Sequence, residues 1–104
     1  MDKYIYLSNL YDYYGTLLTE KQQNYFEDYY FNNLSLKEIS ENKKVSRNAI
    51  FKQLKTIEDK LLFYENKLKL YEKNKKLLQI IEKIDDKNIK KELENLYKKR
   101  GYYV

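Results

Sequence analysis

Lys43, Lys44, Arg47, Lys52 and Lys55 fall within thirteen residues, interleaved with Ser46, Asn48 and Gln53. Lysine and arginine neutralise phosphates, arginine also matches guanine edges, and asparagine and glutamine match adenine. A segment carrying all of these can hold a polynucleotide backbone and address its bases. The competing explanation is a lysine-rich solvated surface that touches nothing.

Charge along the chain sharpens the choice. Residues 1–42 hold three lysines against seven acids; residues 43–60 hold six cations against two acids. Residues 61–104 hold twelve cations against seven acids, and the whole chain of 104 residues carries a net +5. Positive charge therefore begins abruptly at Lys43, the footprint expected of a phosphate-binding surface.

Other chemistry finds few carriers. The absence of cysteine and histidine excludes disulfides, thiolate nucleophiles, the usual zinc sites and imidazole acid–base catalysis. Glu20, Glu38 and the Asp85/Asp86 pair sit where helix caps and first-turn charges are expected. No glycine-rich phosphate loop is present. A tyrosine nucleophile for strand cleavage needs clustered Arg and His, whereas Arg47 and Arg100 are the only arginines. The reading is non-catalytic, with no cofactor and no metal. Charges recur too often for a membrane span, and the N-terminus lacks the apolar core of a secretory signal, so the expected location is cytoplasmic.

The elements that must position the basic segment are helices. There is no proline, and Gly15 and Gly101 are the only glycines; no strand-like alternation appears, so the predicted class is all-α. Leu7, Leu10, Tyr11 and Tyr14 mark one face of a first helix, with Gly15 placed for a left-handed stop. Thr19 with Gln22, and Ser35 with Glu38, are capping boxes for a second and a third helix. Tyr25, Phe26, Tyr29 and Tyr30 give the second an aromatic stripe, and Asn32 and Asn33 end it. Leu36 and Ile39 place the third helix on the core.

Ser46 caps a fourth helix. Its apolar positions Ile50, Leu54, Ile57, Leu61, Tyr64, Leu68 and Tyr71 alternate in steps of four and three, the seam of one long helix. Asp85 and Asp86 break the register before a last helix lined by Ile89, Leu93, Leu96 and Tyr97 and closed by Gly101, leaving a loose tail of Tyr102, Tyr103 and Val104. The short third helix, the bend and the first turns of the long fourth helix form a helix-turn-helix, with Ile39, Val45, Ile50 and Leu54 inside the corner and Arg47, Asn48, Lys52, Gln53 and Lys55 mostly outside. Residues 1–62 form this tri-helical head; residues 63–104 form a helical extension that packs on the head or on a second copy. Leu61, Tyr64, Leu68 and Tyr71 are the positions offered to that partner, with a homodimer favoured. The tyrosines belong mostly to the core; Tyr13, off that face, is the one exposed enough to stack on an unpaired base.

The stretches "LYDYYGTLLTEKQ", "LSLKEIS" and "VSRNAI" resemble the YlxM family of small bacterial proteins over roughly residues 7–75. That family is in turn similar to region 4 of the housekeeping sigma factors, a helix-turn-helix that reads promoter DNA. The resemblance implies a regulatory role in the signal recognition particle pathway, through the particle's RNA or one of its GTPases, with duplex DNA as the alternative target. It departs from the usual corner at two positions: Lys43 replaces a Leu or Phe, and Lys44 replaces the Gly or Asn of a turn that requires positive φ. A lysine held there costs on the order of 1 kcal/mol.

Overall fold

The computed structural model describes residues 2–98, and the expectations for Arg100, Gly101 and the tail at 102–104 lie outside them. The described residues form helices joined by short turns, without strands. In chain order these are α1 (Lys3–Tyr14), a 3₁₀ turn (Gly15–Leu17), α2 (Glu20–Tyr30), α3 (Leu36–Lys43), α4 (Arg47–Leu68), α5 (Leu70–Ile81) and α6 (Lys87–Lys98).

The starts follow local hydrogen-bond chemistry. Both capping boxes form: Thr19 and Gln22 exchange side-chain and backbone bonds, as do Ser35 and Glu38. Ser46 Oγ accepts from the Ala49 N–H at 3.0 Å, and Asp86 Oδ1 accepts from Asn88 and Ile89. Each cap satisfies N–H groups that the first helical turn leaves orphaned.

Helix α4 is the central strut, packing on α1, α2 and α3. Its Ile50, Leu54, Ile57 and Leu61 close a core with Leu7, Leu10, Tyr11, Tyr14, Phe26 and Ile39. An aromatic column runs through this core. Tyr11 stacks on Phe26 at 4.3 Å, Phe26 on Tyr30 at 4.2 Å, and Tyr4 lies 4.9 Å from Tyr30. The phenols exit onto acceptors: Tyr11 on Glu27, Tyr30 on Glu58, Tyr14 on Glu65, and Tyr4 on the Tyr30 carbonyl. This is how tyrosines fill a core otherwise suited to Phe or Leu, ring inside and hydroxyl paired.

Three sequence expectations change here. Gly15 is right-handed, at φ −55°. Its missing side chain matters for space, because a Cβ there would stand 3.0 Å from Tyr11 Cζ. The predicted long helix ends at Leu68: Lys69 is left-handed at φ 55°, and α5 restarts at Leu70. Residue 62 lies inside α4, and the chain turns at Lys69. Tyr13 is half-buried and already engaged, 6.1 Å from the Tyr71 ring with its hydroxyl accepting from Asn74.

With a Cα radius of gyration of 16.7 Å and extents of 55 × 24 × 23 Å, the molecule is elongated. A compact chain of this length has a radius near ~13 Å. The difference is the α5–α6 hairpin, which contacts α1 through α5 and extends beyond the head. Among the described residues no helix is long and apolar enough to cross a membrane.

Candidate nucleic-acid interface

The basic segment occupies the end of α3, the turn and the first turns of α4. Lys44 sits at the turn with φ 58° and ψ 42°, the left-handed geometry expected of that position. Its N–H and that of Val45 both return to the Ser40 carbonyl, closing α3. Lys43, standing where an apolar residue is usual, holds the corner by charge instead: its Nζ lies 3.9 Å from Asp28 Oδ2 on α2.

The spacing of apolar residues turns α4 so that Ile50, Leu54 and Ile57 point inward. Consequently Arg47, Asn48, Lys52 and Lys55 are exposed, along with Lys43, Lys44 and Ser46. Lys55 pairs with Asp59 at 3.1 Å, a surface i,i+4 contact worth a few tenths of a kcal/mol. Lys44, Arg47 and Lys52 join no ion pair among the described residues, and the first turn of α4 carries no acid. Their charge is therefore available to an incoming anion.

Two placements differ from expectation. Gln53 is half-buried, on the flank of α4 rather than its outer face, and Val45 is 40 % exposed instead of filling the corner. Val45 lines an open groove with Thr19, Asn24 and Tyr25. Phe51, which periodicity gave no reason to single out, is 58 % exposed beside Lys52. A helical-wheel count from Arg47 would have found it, since residues 47, 51 and 55 share one stripe.

The positions expected to await a partner are mostly occupied within the chain. Leu61 is fully buried in the head core. Tyr64 packs on Tyr14 at 5.9 Å and Tyr71 on Tyr6 at 5.6 Å, both half-buried, so Leu68 alone stands out, at 46 % exposure.

Electrostatics around the head are set by acids paired to hydroxyls and amides. Glu38 is held below the usual carboxylate range by the Ser35 N–H that it accepts, then by the Ser35 side chain. Burial first, and then the hydrogen bond to Glu65, push the Tyr14 hydroxyl well above its ordinary value. Tyr30 is raised by burial and by its bond to Glu58. These phenols are protonated donors at neutral pH and add no charge to the basic face.

This combination of exposed cations on the second helix of a capped bend agrees with what sequence comparison finds. A family model described as "Putative helix-turn-helix protein, YlxM / p13 like" matches residues 1–100. A UPF0122 protein of Caldanaerobacter subterraneus subsp. tengcongensis is 46% identical over 85 residues, covering 82% of this chain and 73% of that protein. One from Fusobacterium nucleatum subsp. nucleatum is 42% identical over 103 residues, covering 92% and 97%. A third, from Oceanobacillus iheyensis, is 40% identical over 100 residues, covering 92% and 95%. The chain belongs to the UPF0122 family of YlxM / p13-like helix-turn-helix proteins.

Proposed function

We propose that this chain is a non-catalytic regulatory protein that binds nucleic acid through the N-terminal turns of α4. One observation carries the reading: Arg47, Asn48 and Lys52 stand exposed on the outer face of the corner, with neither Arg47 nor Lys52 paired to a carboxylate among the described residues. In a helix-turn-helix that face enters the groove while the preceding helix braces against phosphates. Lys43 and Lys44 supply the brace; Asn48 and Arg47 supply donors for base edges. The resemblance to the YlxM family makes the RNA of the signal recognition particle the first target to test, and duplex DNA the second.

The test is the salt dependence of binding. Affinity should fall on a log–log plot with a slope of about −0.9 per duplex phosphate contacted, or about −0.7 per single-strand phosphate. Replacing Arg47, Lys52 and Lys55 together by Ala should flatten the slope by roughly three contacts' worth. Binding with an unchanged slope would remove this face from consideration.

A second reading, an adaptor for a signal recognition particle GTPase or a homodimer, draws on a different observation. Phe63, Leu68, Leu77, Ile80 and Leu96 are exposed on the extension, more apolar surface than a solvated hairpin needs. A homodimer would sediment at twice the monomer mass, with Leu68→Glu restoring the monomer. Capture of the purified GTPase without RNA, lost in Leu68→Glu, would favour the adaptor.

A further inference from the structure

We infer that Phe51 and the groove beside it form a stacking site for an unpaired nucleobase, so that the target is a nucleic acid with a bulged, looped or single-stranded base. This rests on the reading of α4 as the nucleic-acid-binding helix and specifies what that helix selects.

The argument starts from ring partners. Among the described residues, the other exposed phenyl or phenol rings lean on a neighbouring ring: Tyr4 on Tyr30, Phe31 on Tyr11 and Phe26, Phe63 on Tyr64. Phe51, more exposed than Tyr4 or Phe31, makes no ring contact with any described residue. A lone exposed apolar residue needs no explanation on its own. This one, however, lies one turn from Arg47 on one side and one turn from Lys55 on the other, with Asn48 and Lys52 beside it. An aromatic face bracketed by cations is the arrangement that single-strand binders use: the cations track the backbone and the ring takes a base.

The groove narrows the occupant further. It has a volume of about 380 Å³ and is lined by Lys3, Tyr29, Leu36, Phe51, Leu54, Lys55 and Glu58. Its walls are largely apolar, and its acid is fixed: Glu58 Oε2 accepts from the Tyr30 hydroxyl at 2.7 Å and Oε1 lies 3.6 Å from Lys3 Nζ. That carboxylate can still accept from the exocyclic amino group of adenine, cytosine or guanine, with Lys3 and Lys55 lining the same groove. A flat, apolar, amino-bearing ring matches both the apolar walls and that acceptor, whereas a phosphate alone would leave the apolar walls uncovered. In a continuous duplex the bases are stacked inside and cannot reach such a groove, whereas unpaired bases can be splayed onto it.

Three probes test this: an RNA hairpin with a single bulged 2-aminopurine, the same hairpin without the bulge, and a DNA duplex of equal length. The unmodified protein should bind the bulged hairpin most tightly and change the 2-aminopurine emission. Phe51→Ala should weaken the bulged hairpin by roughly 5- to 150-fold, the range for loss of one base–aromatic stack, and leave the paired probes within about twofold. Phe51→Leu, which keeps an apolar side chain without a ring face, should show nearly the same loss, with thermal unfolding unchanged in both variants. Equal weakening of all three probes by Phe51→Ala, or none, with a steep salt slope retained, overturns the stacking site and leaves the phosphate-binding reading standing. Absence of salt-dependent binding to any probe overturns both.

Discussion

Tyr14 on α1 donates its hydroxyl proton to Glu65 Oε1 on α4 at 2.6 Å, across fifty-one residues of sequence. The same phenol oxygen accepts from the Leu70 N–H at 3.0 Å. Glu65 in turn accepts from the Tyr71 and Glu72 N–H groups at 3.1 and 3.2 Å. Lys69 offers no side-chain cap to α5. The start of α5 is therefore capped from outside by a phenol and a carboxylate, both in the protein interior. This arrangement fixes where the α5–α6 hairpin leaves the head.

Tyr14→Phe should remove one donor from Glu65 and the acceptor from Leu70, destabilising the protein by about 1–3 kcal/mol. The cost should concentrate at the hairpin. In hydrogen exchange, the amides of Leu70, Tyr71 and Glu72 should lose protection before those of α2 and α3 do. Uniform loss across the chain would mean that the network is an ordinary core contact and not the hairpin's anchor.

Lys44→Gly should stabilise the corner. At φ 58° and ψ 42° a lysine pays the left-handed penalty, on the order of 1 kcal/mol, that glycine does not. The urea midpoint should rise with an unchanged m-value. One cation is removed at the same time, so nucleic-acid affinity should fall modestly while stability increases. A drop in the midpoint would show that the turn relaxes to another conformation.

Gly15→Ala should go the other way. The backbone there is right-handed, where α1 passes into the 3₁₀ turn, so alanine is intrinsically better by at most about 1 kcal/mol. The new methyl, however, would meet the Tyr11 ring at 3.0–3.2 Å. That ring is fully buried, stacked on Phe26 and tied by its hydroxyl to Glu27 at 2.5 Å, so it has little room to yield. Overpacking of this kind costs about 1–3 kcal/mol, leaving a net destabilisation of order 1 kcal/mol in thermal or chemical unfolding.

Gly15 also shows how far the sequence could be read. A glycine after a helical stripe signals a left-handed stop when only local chemistry is considered; the ring that needs the space is apparent only once α1 has folded. The caps at Thr19, Ser35, Ser46 and Asp86 were legible because their partners lie two or three residues away. Lys44's positive φ followed from the resemblance to the YlxM-type corner, since a lysine by itself gives no local sign of it. Glu65 was not legible: it lies beside an apolar seam, Tyr14 is fifty-one residues away in sequence, and the α5 amides reach it only because the helix breaks at Lys69. The seam looked continuous through Tyr71 because periodicity survives a one-residue break when the chain resumes on the same side. Of the site, the exposed cations followed from the apolar spacing of α4. The groove beside Phe51 also draws Lys3, Tyr29 and Leu36 from α1, α2 and α3, which no spacing along α4 reveals.

Stability against pH should fall off at both ends, for opposite reasons. Glu38 has a folded value below its unfolded one, so its contribution is present above the unfolded carboxylate range, near 4.3, and is lost as pH falls through the lower folded value. Tyr14 and Tyr30 have folded values raised above an unfolded value of about 10. Their contribution is full below pH 10 and disappears as pH rises from there toward the raised values, because the unfolded chain releases protons that the fold retains. Tyrosinate absorbance at 295 nm should therefore keep a portion that appears only with unfolding. In the Tyr14→Phe/Tyr30→Phe double variant that late portion should shrink, and the alkaline loss of stability per pH unit should become shallower. At the acid end Glu38→Gln should flatten the dependence while leaving the alkaline limb untouched, since its amide still reaches the Ser35 backbone but no longer titrates. An alkaline limb of unchanged steepness in the double variant would place the controlling ionisation on other groups.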